Sequence, residues 1–205
     1  DNTTKEFSNG ITGMAIAESI SAGLARVALS ITVNGELWDL DRPITEDARI
    51  QLHTWGNEEG KYTFWHSSAH LLAEAIQELF PSAMFGIGPP IENGFYYDVD
   101  FGDHTLQQED LRALEKKFLE LARQKNKFLR TAISKSDALT HYQKIGNKYK
   151  VDLIEGLEDG QITFYEQGNF TDLCRGPHVP NTSIVKAVAL TSIAGAYWRG
   201  DVDSK

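Results

Sequence analysis

Two pairs of side chains with metal-ligand and acid–base chemistry stand far apart in this chain. His66 and His70 lie four residues apart at the start of an apolar-periodic run, so a helix would place both imidazoles on one face. Cys174 and His178 enclose a Gly-Pro step, which predicts a loop or a strand end rather than a helix. Together the two pairs have the composition of a zinc site or of a Cys/His hydrolytic site. The residues alone leave both kinds of site open.

Each of these side chains also has a purely structural interpretation. His66 suits a helix cap, and His70 suits a buried position at which its ring nitrogens are hydrogen-bonded. Cys174 suits a small buried hydrophobe, which is the usual role of a single free cysteine. Only the joint presence of both pairs favours a functional site.

Composition restricts the class of protein. The chain has 205 residues, of which 41% are hydrophobic and 24% charged, as in an ordinary globular protein. No run is long and apolar enough to cross a bilayer, so we expect no membrane partner. Its single cysteine cannot form an internal disulfide, which favours a reducing, cytoplasmic setting.

The charge is unevenly distributed along the chain. A net charge of −9 argues against a general nucleic-acid-binding protein. Residues 112–150, however, contain eleven Lys and Arg residues and only three acidic ones. Such a segment can contact a polyanion, although a solvated helix face explains it as well.

Local patterns predict an α+β chain with two domains. Residues 1–56 combine one short helix, capped by Thr12, with several strands that include an Asn34-Gly35 hairpin, which is typical of a β-grasp module. Its first strand is expected to be missing, since the helix follows the chain start closely. A polar, glycine-flanked linker then separates a second domain, residues 57–205.

The second domain opens with the helix that carries His66 and His70. Alternating aromatic and β-branched residues predict a strand over residues 95–101. An amphipathic pattern predicts one long helix over residues 108–130, and a further strand is predicted over residues 187–197.

Four motifs resemble the N-terminal region of the bacterial threonyl-tRNA synthetase family. They are HSSAHLL at 66–72, GPPIENGFYYD at 88–98, TDLCRGPHVP at 171–180 and AGAYWRGD at 194–201. The resemblance covers essentially the whole chain. It implies a TGS-like module followed by the editing domain that this family shares with alanyl-tRNA synthetases. It also implies that the catalytic and anticodon-binding domains lie outside this sequence, so we expect no aminoacylation.

The resemblance implies hydrolysis of the ester in serine-mischarged tRNA(Thr). It therefore implies as partners this tRNA and the remainder of a synthetase chain, which ligates threonine to tRNA(Thr) with ATP. The residues that match the family's functional positions are His66, His70, Tyr97, Lys150, Asp172, Cys174 and His178. The resemblance implies roles in water activation and ribose contact for His66 and Lys150, in binding the substrate's α-ammonium for Asp172, and in lining the pocket for Tyr97. No cofactor is expected to be required.

Two other functions remain open from the sequence. One is a zinc-dependent hydrolase of the alanyl-tRNA editing type, with His66, His70, Cys174 and His178 as ligands. The other is a non-catalytic tRNA-binding module that uses the basic segment 112–150.

Overall fold

A computed structural model describes residues 3–195 and 198, and the chain forms two compact units. One unit comprises residues 1–64 with 176–180, and the other comprises residues 65–175 with 181–205. No helix among the described residues is long and apolar enough to cross a membrane. The combination of helices and antiparallel sheets confirms the α+β class, whereas the domain bounds 1–56 and 57–205 stay a prediction.

Within its described residues, the first unit contains two short helices and five strands before residue 58. In chain order they are β1 (Ile11–Thr12), α1 (Gly13–Ile20), α2 (Ala22–Val27), β2 (Ser30–Val33), β3 (Glu36–Trp38), β4 (Pro43–Ile44) and β5 (Ile50–His53). An antiparallel sheet has the order β3-β2-β5, and β1 pairs separately with β4.

Local chemistry explains the helix start and the hairpin of this unit. The Thr12 hydroxyl accepts the Ala15 N–H at 3.2 Å, which caps α1 as predicted. Asn34 and Gly35 connect β2 to β3 with positive φ angles of 50° and 90°, as an Asn-Gly hairpin turn requires. Ile31, on the central strand, is fully buried in the core of the unit.

Helix α3 (Glu58–Leu79) carries both histidines of the first pair. The elements that follow it are β6 (Met84–Phe85), β7 (Pro90–Ile91), β8 (Gly94–Phe95), β9 (Val99–Asp100), α4 (Gln108–Arg123), β10 (Leu129–Ala132), α5 (Lys135–Lys144), α6 (Lys148–Glu155), β11 (Thr163–Gln167), β12 (Phe170–Leu173) and a 3₁₀ turn (Thr182–Ile184). An antiparallel sheet of the second unit has the order β10-β11-β12, and two small pairs join β6 to β9 and β7 to β8.

The predicted helix over residues 108–130 is wrong in its last seven residues. Helix α4 ends at Arg123, and Lys125 takes a positive φ of 59°. Immediately afterwards, the backbone of Asn126 makes two hydrogen bonds with Thr182: its N–H donates to the Thr182 hydroxyl at 3.1 Å, and its carbonyl accepts the Thr182 N–H at 2.9 Å. This long-range contact overrides the helical periodicity, and the chain continues into β10.

Two predicted strands are also corrected. The strand over residues 95–101 divides into β8 and β9, because the intervening residues leave the ladder and the Asp98 N–H bonds to the Ile87 carbonyl at 2.8 Å. The predicted strand over residues 187–197 is not formed at residues 187–195, and residues 196 and 197 lie outside the described part of the chain.

A buried carboxyl group joins α3 to the turn between β11 and β12. Glu74 is only 1% exposed. It accepts the Asn169 N–H at 3.2 Å and the Gln167 side-chain amide at 3.4 Å, and that amide also donates to the His70 carbonyl at 3.0 Å. The turn approaches so closely that a Cβ atom at Gly168 would overlap the Glu74 carboxyl group. Glu74 thus fixes β12 against the helix that carries His66 and His70.

The protonation state of Glu74 is set by its surroundings. Burial raises its pKa from the ordinary 4.5 to about 7, and the hydrogen bonds from Asn169 and Gln167 offset only part of this shift. Among the described residues, Gln167 Oε1 is buried without a hydrogen-bond partner.

We predict that Glu74→Gln raises the free energy of unfolding of the second unit, relative to wild type, more at pH 8 than at pH 5. Because the folded-state pKa is raised, the wild-type free energy of unfolding falls as pH rises from about 4.5 to about 7, by on the order of 3 kcal/mol. A neutral amide removes this loss and retains hydrogen bonding to Asn169 and Gln167. Urea unfolding at both pH values measures the effect, with the exposed Glu155→Gln as control; equal differences at pH 5 and pH 8 would contradict the prediction.

A second prediction concerns the core of the first unit. Ile31→Ala removes a fully buried side chain on the central strand, and we expect a loss of about 2–5 kcal/mol in the free energy of unfolding. Ile20→Ala is the matched control, since Ile20 is 49% exposed and should change stability by less than about 1 kcal/mol. Thermal or urea unfolding of each variant gives the comparison. A loss at Ile31 as small as that at Ile20 would contradict the assigned core.

Candidate functional site

A buried ion pair lies at the centre of the second unit. Lys150 Nζ is 2.5 Å from Asp172 Oδ1, and both residues are buried, with 2% and 3% of their surface exposed. Asn147 caps α6 by accepting the Lys150 N–H at 3.2 Å, which places Lys150 in the first turn of that helix. On β12, Phe170 and Asp172 share the buried face, because burial alternates along the strand. A helix start and a strand register therefore bring the two charges together.

Tyr97 and His70 complete the surroundings of the carboxylate. The Tyr97 hydroxyl donates a short hydrogen bond to Asp172 Oδ2 and accepts a longer one from Lys150 Nζ at 3.4 Å. His70 Nε2 lies 3.7 Å from the same carboxylate oxygen. The structure thus brings together four of the residues that match the family's functional positions.

The pKa shifts show which of these groups carry charge. Burial lowers the pKa of His70 to about 4, and the nearby Asp172 carboxylate offsets only part of this shift. His70 is therefore neutral at pH 7. Burial, and then the charge of Asp172, raise the pKa of Tyr97 well above its usual range, so Tyr97 retains its proton. Lys150, 2.5 Å from Asp172 Oδ1, is the cation that faces the carboxylate in this group.

Three candidate metal ligands lie beside this network. Cys174 Sγ is 3.2 Å from His66 Nε2, and the His66 and His70 rings are 5.2 Å apart at their centroids. The ligand atoms of His66, His70 and Cys174 all lie within 4.8 Å of one another. Imidazole nitrogens and a thiolate are the ligands that zinc prefers, so these side chains fit a zinc ion.

His178, the remaining predicted site residue, lies in the segment 176–180, which groups with the first unit. It is buried, and its backbone N–H donates to Asp39 Oδ1 at 2.8 Å. This bond fixes the backbone at His178 within that unit.

Sequence reasoning missed Tyr142. This residue is buried on α5, and its hydroxyl accepts the Leu173 N–H at 2.8 Å. Burial, and then the charge of the neighbouring Asp172, raise the Tyr142 pKa well above its usual range. Its position in an amphipathic helix is that of an ordinary core aromatic residue, so nothing local in the sequence distinguishes it.

A large cavity adjoins the network. Its volume is about 1340 Å³, and Tyr97 lines it together with Trp65, Leu72, Leu111 and Tyr149. The lining is mostly apolar and aromatic, with a few polar groups such as Ser68 and Asp98. Cavities of this kind commonly hold small molecules or parts of larger ligands.

Comparison with known families identifies two modules in the chain. The model of the TGS domain matches residues 1–54. The model described as the threonyl and alanyl tRNA synthetase second additional domain matches residues 162–205, which include Asp172 and Cys174.

Curated relatives match along the entire chain. It is 60% identical over 205 residues to a threonine–tRNA ligase of Cytophaga hutchinsonii, 57% identical to that of Parabacteroides distasonis and 56% identical to that of Bacteroides thetaiotaomicron. All of this chain is covered in each match, but only 32% of each relative, so the chain spans about a third of their length. With its TGS and second additional domains, the chain belongs to the threonine–tRNA ligase family, in which it corresponds to the N-terminal part.

Proposed function

We propose that the second unit hydrolyses the ester of tRNA(Thr) mischarged with serine. The observation that carries this proposal is the buried Lys150–Asp172 pair, because it places a cation and an anion against Tyr97, which lines a large cavity. Family membership supports it, since the second additional domain is the editing domain of this family.

Serine differs from threonine by one methyl group, which creates the need for editing. A binding pocket discriminates one such group by only about 1–3 kcal/mol, or roughly 10–200-fold. A second site that hydrolyses the smaller aminoacyl ester supplies the missing fidelity. The proposed partners are therefore tRNA(Thr) carrying serine and the remaining domains of a synthetase, which ligate threonine to the tRNA with ATP.

The roles of the side chains follow from their charges. Asp172 is the anion for the substrate's α-ammonium, and Lys150 stabilises the negative charge that develops on the ester carbonyl oxygen. His66 accepts a proton from the attacking water, whose oxygen bonds to the carbonyl carbon. The bond from this carbon to the ribose oxygen then breaks, and that oxygen takes up a proton. The reaction as proposed is cytoplasmic and requires no cofactor.

A zinc-dependent hydrolase is the second candidate, because three suitable ligand atoms lie within 4.8 Å of one another. His66, His70 and Cys174 would hold the ion. A bound zinc ion would lower the pKa of a coordinated water molecule and so supply the nucleophile. Hydrolysis that persists in the presence of a strong chelator distinguishes the metal-free reaction from this one.

We predict that Lys150→Ala and Asp172→Ala each lower the rate of Ser-tRNA(Thr) hydrolysis, by on the order of 10²–10³ for loss of the Lys150 donor. Cys174→Ser should have a milder effect if no metal is required, because a hydroxyl group preserves the size and hydrogen bonding of the thiol. If zinc is required, the loss should be large, because a hydroxyl group is a poor zinc ligand. Single-turnover deacylation measures the rates, and Thr-tRNA(Thr) serves as the comparison substrate.

Folding must be controlled in this series, because removing one partner of a buried pair leaves an uncompensated charge. Circular dichroism provides the check, and the double variant Lys150→Met/Asp172→Asn removes both charges together. Absence of hydrolysis by the folded wild type would leave a tRNA-binding role. Near-complete loss in Cys174→Ser would favour a metal-ligating or nucleophilic cysteine.

The basic segment 112–150 generates a prediction about tRNA binding. Lys125 and Lys127 are exposed just beyond α4, where they can contact phosphate groups. We expect Lys125→Glu/Lys127→Glu to weaken tRNA(Thr) binding and to reduce its salt dependence, while the hydrolytic rate in bound substrate is unchanged. The control Lys5→Glu/Lys186→Glu changes the total charge equally at exposed positions outside the segment. Equal affinities for the two double variants would show that the segment is only a solvated surface.

A further inference from the structure

One wall of the large cavity is an irregular segment rather than a helix or a strand. Residues 187–195, which we call the strap, form no regular secondary structure, and every one of them lines the cavity. The strap carries no charged side chain and consists mainly of alanine, valine, leucine and isoleucine. It therefore matches the apolar lining of the cavity, although residues 191–195 are also exposed to solvent.

Both ends of the strap are anchored. Before it, Val185 is only 2% exposed, and its N–H donates to the Thr182 carbonyl at 3.2 Å. Beyond it, the Trp198 indole N–H donates to Asp152 Oδ2 at 2.8 Å, and the indole packs on Tyr149 with the ring centroids 4.9 Å apart. These contacts fix the chain on either side, so a movement of the strap is confined to the residues between the two anchors.

The middle of the strap is tied to helix α4 by one hydrogen bond. The Leu190 N–H donates to Glu115 Oε1 at 2.7 Å. Among the described residues, no other backbone group of the strap takes part in a hydrogen bond. A single bond to a side chain that is only partly buried contributes modestly to stability, since water replaces it when it breaks. The middle of the strap can therefore leave its closed position at a small cost.

The other walls of the cavity are held more firmly. Leu72 lines the cavity from α3, and Leu111 and Leu114 line it from α4; all three are at most 8% exposed. Displacing either helix would expose these side chains and disrupt the core around them. The strap is thus the wall at which a ligand can enter with the least loss of packing.

We propose that the strap is the gate of this cavity and that the hydrogen bond between Leu190 and Glu115 is its latch. The inference rests on the proposed editing reaction, and it concerns how the substrate of that reaction is admitted and retained. The acylated 3′ end belongs to a large RNA that stays outside the cavity, so a wall must open to admit it. Once this end is bound, the strap closes over it, re-forms the latch and slows its escape.

The latch controls the rates of entry and exit in this scheme. When the gate is mostly closed, the observed association rate is the intrinsic rate multiplied by the fraction of chains with an open gate. The latch forms in the free and in the bound chain, so its removal accelerates association and dissociation by similar factors and leaves the affinity nearly unchanged. Hydrolysis of bound substrate should also change little, because Glu115 lies on α4, which supplies none of the proposed catalytic groups.

The first experiment measures the binding kinetics of 3′-serylamino-3′-deoxyadenosine, a non-hydrolysable amide analogue of the acylated 3′ end. Trp65 and Trp198 line the cavity, so stopped-flow tryptophan fluorescence reports binding. We expect Glu115→Ala to raise both rate constants at least about fivefold, with a dissociation constant within about threefold of wild type. Glu120→Ala is the matched control, because it removes the same group from the same helix at a position that contacts Lys117.

The kinetics also separate a latch from a merely structural contact. Damage to the cavity would accelerate dissociation without accelerating association, and that result in Glu115→Ala would overturn the gate. Rate constants equal to those of Glu120→Ala would overturn it as well.

Hydrogen exchange of the wild-type chain gives a readout that needs no variant. The Leu190 amide exchanges when the latch is open, so saturating probe should slow its exchange at least about tenfold. The Val185 amide is the internal control, since it is bonded within an anchor, and its exchange should change by less than about twofold. Exchange of the Leu190 amide that is unchanged at saturating probe would overturn the proposal, as would a failure of the wild-type chain to bind the probe.

Single-turnover hydrolysis distinguishes failure of this inference from failure of the proposed function. At saturating protein, Glu115→Ala should hydrolyse Ser-tRNA(Thr) at a rate within about threefold of wild type. A wild-type chain that shows the expected probe kinetics but does not hydrolyse Ser-tRNA(Thr) would overturn the proposed function alone. Hydrolysis by wild type together with unchanged probe kinetics in Glu115→Ala would overturn the gate alone.

Discussion

The second unit is organised around one constraint, the burial of the Lys150 and Asp172 charges. Burying two ions is expensive, and the attraction between them offsets that cost only when the geometry and the additional hydrogen bonds are good. Here the Tyr97 hydroxyl supplies such a hydrogen bond, and the Asn147 cap fixes the start of the helix that carries the lysine. The neutral state of His70 adds no further charge to be balanced. The two charges therefore balance each other, and the lysine carries its charge at the end of a flexible side chain.

The support for Asp172 and Cys174 comes from contacts that are remote in sequence. Glu74 holds the turn that precedes β12, and this turn must contain glycine at position 168 because no Cβ atom fits against the carboxyl group. Tyr142 binds the backbone immediately after Asp172. The strand is thus held at its start and near its end, which fixes both side chains relative to the helix that carries His66.

Features with local causes could be predicted from the sequence. The Thr12 cap, the Asn34-Gly35 turn and the shared face of the His66 and His70 pair all depend on residues within one or two turns of chain. The end of α4 could not be predicted in this way, because its apolar periodicity continues beyond Arg123, whereas the contact that Asn126 makes just after the helix is with Thr182, 56 residues away. For the same reason Tyr142, Glu74 and Gln167 were missed, since their partners lie elsewhere in the chain. Motif resemblance supplied Tyr97, Lys150 and Asp172, which no local pattern connects.

Strand β10 begins a few residues after α4 ends, and all four of its residues are exposed. Among the strands that the structure describes it pairs only with β11, so its other edge presents unpaired backbone groups and the exposed Leu129. Such an edge is a template for pairing with another chain, and positive charges are a common means of preventing it. Lys127 and Arg130 stand on either side of Leu129 and keep like-charged copies apart. The same side chains that suit a polyanion therefore also place positive charge beside an open strand edge, where it opposes pairing with a second copy of that edge.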